Sequence, residues 1–263
     1  MDSLTGDFNQ FSLLDFDANN QPTINGDSRA QSQSSKTRAN NRICPSLKSS
    51  ESFYDFYICV DFECTCDSNN SYWDHEIIEI PAVIVAACSL EIVGEFRTFV
   101  RPSWETKLTK FCTKLTGIHQ EDVDSAPLID EAIQLLMKYL GVNNFLLNGL
   151  FVFDGDWDVN SFLIPELTDK KIPVPAKFLQ FCNIRKVFDS HFGRAPRRSN
   201  VKRDIEFMIK KLSGQTFVGR KHSGIDDARN LARVLIQLIH KGAGKNVSKF
   251  ISTVTEPPMS QSL

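Results

Sequence analysis

The sequence predicts an α/β fold: a mixed sheet that opens with three antiparallel strands, adds parallel ones, and carries helices on its faces. Two observations point to it. Tyr57–Phe62 is a near-continuous apolar run, which suits a central strand buried on both sides, and Ile80–Cys88 and Glu95–Val100 follow it through a short Leu90-Glu91 connection. Helical periodicity then alternates with short apolar segments, an order that layers helices on a sheet.

The elements read in order as follows. Leu128, Ala132, Leu135, Leu136 and Tyr139 recur at helical spacing over Leu128–Leu140, with Pro127 near the start. Asn144–Leu147 and Leu150–Phe153 are short strand candidates. Ile225, Ala228, Leu231, Leu235 and Leu238 form one stripe over Ile225–His240, and Gly242 stands beyond it as a stop signal. The domain spans 54–240. Residues 1–50, rich in Ser, Asn, Gln and Asp, read as a disordered tail. A small apolar cluster in that tail (Phe8, Phe11, Leu13, Leu14, Phe16) reads first as a segment touching the domain surface and only second as a short motif for a protein partner. Residues 241–263 read as a flexible C-terminal tail.

Composition excludes several classes. At 263 residues with 41% hydrophobic and 24% charged residues, the chain is ordinary for a globular protein. Its net charge of −2 announces no polyanionic partner, so any such surface must be local. No apolar run is long enough for a membrane span. The first basic residue, Arg29, follows five aspartates, which fits neither a secretory nor a mitochondrial leader. Seven scattered cysteines read as reduced thiols in an intracellular compartment, cytoplasmic or nuclear. Cys64-x-Cys66 lacks the ligand spacing of a structural zinc site.

Three acidic groupings carry the chemistry. Asp61-Phe62-Glu63 ends the best strand, where alternation sends both carboxylates to one face and Phe62 to the other. Such a pair is costly in an apolar setting unless a cation joins it; a solvated strand end is the bland account. Asp154, Asp156 and Asp158 form a second group, and pattern alone does not choose among them. In His222-Ser-Gly-Ile-Asp-Asp227 the histidine falls in a loop and Asp227 in the first turn of the last helix, where any acid is welcome. It is the combination of the three that points to a divalent metal centre.

These stretches, with His75-Glu-Ile-Ile-Glu79, Phe99-Val-Arg-Pro102, Phe111-Cys-Thr-Lys-Leu-Thr-Gly-Ile118 and Asn183-Ile-Arg-Lys186, resemble the DEDDh exonucleases, and among them the Eri-type 3′→5′ exoribonucleases. The resemblance covers roughly residues 54–240. It implies a ribonuclease H-like fold and Mg²⁺-dependent hydrolysis of RNA from its 3′ end, releasing nucleoside 5′-monophosphates. It picks Asp61, Glu63, Asp158 and Asp227 as ligands of two Mg²⁺ ions, with Mn²⁺ as a substitute. Asp61 would bridge the ions, Glu63 and Asp227 would hold the one that activates water, and His222 would be the general base. Cys64 stands where the family usually has Ala. No SAP-type nucleic-acid-binding region is expected ahead of the motifs.

With that catalytic set, the run Arg185, Lys186, Arg194, Arg197, Arg198, Lys202, Arg203, Lys210 and Lys211 reads as a phosphate-binding stripe. Phe111, Leu115, Thr116, Gly117 and Trp157, with Cys64 and His222, are candidates for contact with the last nucleotides. A DNA exonuclease of the same chemistry and an RNA-binding module without activity are the competing readings.

Overall fold

The computed structural model describes residues 53–68, 70, 74–194 and 203–254. The strands are β1 (Phe56–Cys59), β2 (Glu63–Cys64), β3 (Ile77–Ala86) and β4 (Ile92–Phe99). The short helices α1 (Lys110–Thr116) and α2 (Gln120–Asp124) and the longer α3 (Ile129–Val142) follow, then β5 (Gly149–Phe153). A π-turn over Asp158–Leu163 runs into α4 (Ile164–Asp169); next come β6 (Gln180–Asn183), α5 (Ile184–Phe192), α6 (Ile205–Ser213) and α7 (Gly224–Leu238). Past α7 lie α8 (Gly244–Lys249) and β7 (Ile251–Thr253).

The sheet is mixed, as expected. β3 pairs antiparallel with β1 and β2 on one side and with β4 on the other; β5 and β6 then add in parallel to β1. Alternation splits the core. Tyr57, Cys59, Val83 and Val85 pack with α5, α6 and α7, while Ile58, Val60, Ala82 and Ile84 pack with α3 and α4. Continuing that count, Phe62 joins the second cluster and Asp61 and Glu63 fall on the α7 side. The register of one strand thus aims both acids at the last helix.

Three expectations are corrected. The run Tyr57–Phe62 is not one strand: β1 stops at Cys59, because the Phe62 N–H leaves the ladder and donates to Asp158 Oδ1 at 2.9 Å. Asn144–Leu147 is a turn, not a strand. Asn144 adopts a left-handed φ of 61°, Phe145 N donates to Leu140 O at 2.8 Å, and Phe145 packs on Phe56 while Leu147 is left 82% exposed. The stretch from Lys241, expected as a tail, is ordered structure as far as Val254. Ala243 and Val247 are fully buried, and β7 pairs antiparallel with β6. Gly242, at φ 86°, bends the chain rather than ending it. The N-terminal tail lies outside the described residues.

Candidate active site

Asp61 follows β1, Glu63 opens β2, and Asp227 sits in the first turn of α7. One carboxylate oxygen from each lies within 4.8 Å of the other two. Glu63 and Asp227 are buried and Asp61 partly so. Burial, then the charges of Asp158, Asp227 and Glu63, hold the Asp61 carboxyl well above the usual range. Burial first, then Asp227 and Glu79, push Glu63 up to about 9. For Asp227 burial raises the value to about 7, although the His222 and Ser223 amides donate to its carboxylate and oppose the rise. Its Oδ2 is buried with no hydrogen-bond partner among the described residues. An acceptor left like that costs on the order of 1–3 kcal/mol. Oxygens converging from three acids, one of which also keeps an orphaned acceptor, are a donor set that suits a hard divalent cation.

Asp158 stands beside this group rather than in it. It begins the π-turn, a distortion often found at functional sites, and its Oδ1 is held by the Phe62 amide. Burial raises its carboxyl to about 7, partly offset by that amide. The geometry separates the three neighbouring aspartates. Asp154 takes a bidentate pair from Arg185 (2.9 and 2.7 Å), and Asp156 binds Lys186 and Ser252 of β7. The C-terminal strand β7 therefore braces the acidic loop.

His222 lies on an exposed turn in a left-handed conformation, φ 57°, outside the three-carboxylate group. Arg220 ties this turn to α1, donating to His222 O at 3.2 Å and to Lys114 O at 2.7 Å. It crosses Gly117 so closely that a Cβ there would meet its guanidinium at 2.9 Å, which with φ 76° accounts for the glycine. Thr116 is buried, its hydroxyl donating to Cys112 O, and Leu115 is half-buried. Phe111 is 40% and Trp157 65% exposed, so both present aromatic faces to solvent. Cys64 is buried. Trp157, Asp154, Asn160 and Arg185 help line an open cleft of about 490 Å³.

The basic stripe is less free than its charge suggests. Arg185 and Lys186 are closed by aspartates, and Arg203 pairs with Asp189. Arg197, Arg198 and Lys202 lie outside the described residues. The residue that sequence reasoning passed over is Glu79, fully buried on β3 beside Glu63. The signal was there: an acid inside a strand otherwise apolar throughout.

The exonuclease family model RNase_T matches residues 58–235. The chain belongs to the exonuclease family. It is 33% identical over 202 residues to 3′-5′ exoribonuclease 1 of Rattus norvegicus, covering 76% of this chain and 57% of that protein. It is 32% identical over 213 residues to the 3′-5′ exonuclease Snipper of Drosophila melanogaster, covering 74% and 73%. The chain thus spans little more than half the length of the first of these relatives. Among solved structures, the nuclease domain of 3′hExo, a DEDDh family member bound to rAMP, superposes with a TM-score of 0.69 at 31% identity, over 74% of this chain and 96% of that one. Both the expected family and its mixed α/β fold are met.

The raised carboxyls make stability depend on pH. In the unfolded chain these acids ionise near about 4. The folded, metal-free exonuclease holds Glu63, Asp158 and Asp227 protonated to about 9, 7 and 7. The native state therefore binds the extra protons, and stability falls as pH rises from the unfolded value through the folded ones. The melting temperature gained on adding Mg²⁺ to EDTA-treated protein should grow between about pH 5 and about pH 9. A gain that is flat or shrinks with pH would contradict the cation reading.

Proposed function

We propose that this chain is a Mg²⁺-dependent 3′→5′ exoribonuclease. It trims RNA 3′ ends by two-metal phosphodiester hydrolysis and releases nucleoside 5′-monophosphates. The observation that carries the reading is the convergence of carboxylate oxygens from Asp61, Glu63 and Asp227, the last of which also has a buried, unpartnered Oδ2 among the described residues. RNA is favoured over DNA by the relatives: one is an exoribonuclease, and another solved structure concerns recognition of the histone mRNA stem-loop, at 29% identity and a TM-score of 0.69. Processing of small RNA, rRNA or histone mRNA inside the cell, in cytoplasm or nucleus, would suit such an activity, as would the free cysteines Cys59, Cys64, Cys66, Cys88, Cys112 and Cys182.

Asp61, Glu63 and Asp227 would hold the ions, with Asp158 in support from its place on the Phe62 amide. When bound, such ions supply an activated water and neutralise charge that builds on the phosphate. Mn²⁺, with the same preference for oxygen ligands, would substitute. His222 takes the proton from the attacking water as general base. Its position on a tied but exposed turn lets it meet substrate while the carboxylates stay fixed by β2 and α7. Phe111 and Trp157 offer faces for the terminal bases, and Cys64 with Leu115, Thr116 and Gly117 bounds the nucleotide. Phosphates are met by the basic stripe, Arg197 and Arg198 included.

The decisive experiment is a competition between RNA and DNA oligomers of one sequence, differing in the 2′-OH. RNA should lose mononucleotides from its 3′ end about tenfold faster or more, and only with divalent metal present. Equal or faster loss from DNA would replace this reading with a DNA exonuclease. Retention of RNA without release would leave a binding module.

A further inference from the structure

Glu79 has a fully buried carboxylate directly opposite Glu63 in the β2–β3 register. A further buried carboxylate beside that group is a cost that needs an offset. It has one on each side. Arg97 of β4 donates from Nε to Oε1 at 2.7 Å. From α7, the Ile225 amide donates to Oε1 at 3.2 Å and the Gly224 amide to Oε2 at 3.3 Å. Both oxygens are taken, which sets Glu79 apart from Asp227, whose Oδ2 has no hydrogen-bond partner among the described residues.

Gly224 and Ile225 are the first residues of α7, whose amides have no partner within the helix. The usual remedy is a side chain just ahead of the helix, but Ser223 makes no such bond. The cap comes from the sheet instead, 145 positions away in the chain. The same helix end rests on the strand that carries the acids. A Cβ on Gly224 would lie 2.8 Å from the Asp61 carbonyl oxygen and 3.1 Å from the Pro81 ring. Asp227 follows within the first turn, and His222 two residues before it begins.

We infer that Glu79 is a positioning residue for the metal-binding carboxylates. By gripping the first turn of α7 while Gly224 lets that turn seat on Asp61, it sets the separation of Asp227 from Asp61 and Glu63. Arg97 offsets part of its charge. The inference rests on the metal-centred reading above, and it assigns Glu79 no contact with ion or RNA.

The test uses the full chain and two variants, Glu79→Gln and Gly224→Ala, with folding checked by circular dichroism. Mn²⁺ affinity is measured by isothermal titration well below the melting temperature, alongside kcat and KM on an oligoribonucleotide. Both variants should bind Mn²⁺ on the order of 10–100-fold more weakly, with kcat falling in step and KM for RNA unchanged. Gly224→Ala alters no charge, and alanine is the better helix former. A shared loss therefore reports displaced geometry, not a weakened field or a weaker helix. It also carries the test by itself if Glu79→Gln does not fold. Wild-type affinity in either folded variant overturns the positioning role. A wild-type chain that binds no Mn²⁺ overturns the metal-centred reading itself, and the inference with it.

Discussion

Asp61→Asn should lower kcat for RNA hydrolysis by on the order of 10³ or more at saturating Mg²⁺, while the protein keeps its fold. Asp61 lies among Asp158, Asp227 and Glu63, all of which raise its carboxyl, as does its burial. Without a cation its charge is opposed by burial and by these neighbours, and a cation would relieve that opposition. Loss of a metal ligand forfeits several kcal/mol of transition-state stabilisation, and each 1.36 kcal/mol is tenfold in rate. The sign for stability is opposite. Asn removes an ionisable group from a crowded buried cluster, so the EDTA-treated variant should melt no lower than wild type near pH 8, and its gain on adding Mg²⁺ should shrink. Activity, melting with EDTA and melting with Mg²⁺ form one set. Near wild-type turnover in the folded variant would sink the two-metal reading whatever the melting curves show.

His222→Ala should cost on the order of 10²–10⁴ in kcat, the usual contribution of a positioned base, and leave metal affinity unchanged. The geometry motivates both halves. The histidine side chain is exposed and lies outside the group formed by Asp61, Glu63 and Asp227, so its loss removes no ligand. An acid limb in the rate profile has two sources in this site. The imidazole takes up a proton, and so do Asp158 and Asp227, whose carboxyls stand at about 7 without metal. Saturating Mg²⁺ suppresses the second source by competing with protons. The limb that remains at high Mg²⁺ should vanish in His222→Ala. A variant that still cleaves at full rate would refute the base assignment, and one that loses Mg²⁺ would recast His222 as a ligand.

The carboxylates are steadied by residues from elsewhere in the fold. Arg220 ties the His222 turn to α1, Ser252 of β7 braces the Asp154–Asp158 loop, and Glu79 grips α7. Ser252 and Glu79 come from elements distant in sequence from the groups they steady, and Arg220 joins its own turn to a helix 106 positions away. That arrangement lets the carboxylates be held close together although their charges oppose it.

Much of this was legible in the sequence because it depends on local periodicity. The apolar run before Asp61 announces a buried strand, and the one-residue alternation at Asp61-Phe62-Glu63 puts both acids on one side, where the α7 face indeed lies. The stripe from Ile225 to Leu238 announces α7 and puts Asp227 in its first turn. What the tertiary structure alone decided depends on distances between segments. Nothing local distinguishes Asp154, Asp156 and Asp158; their different partners, Arg185, Lys186 with Ser252, and the Phe62 amide, come from three other parts of the chain. The stretch after Lys241 is polar and glycine-rich by composition, yet β6 offers it an open edge, and pairing there orders it. Glu79 reads as an oddity in an apolar strand until β3, β4 and α7 meet around it. A pattern of side chains specifies which face of an element is buried, whereas the register of strands and the docking of a helix end decide which charges share a few ångströms.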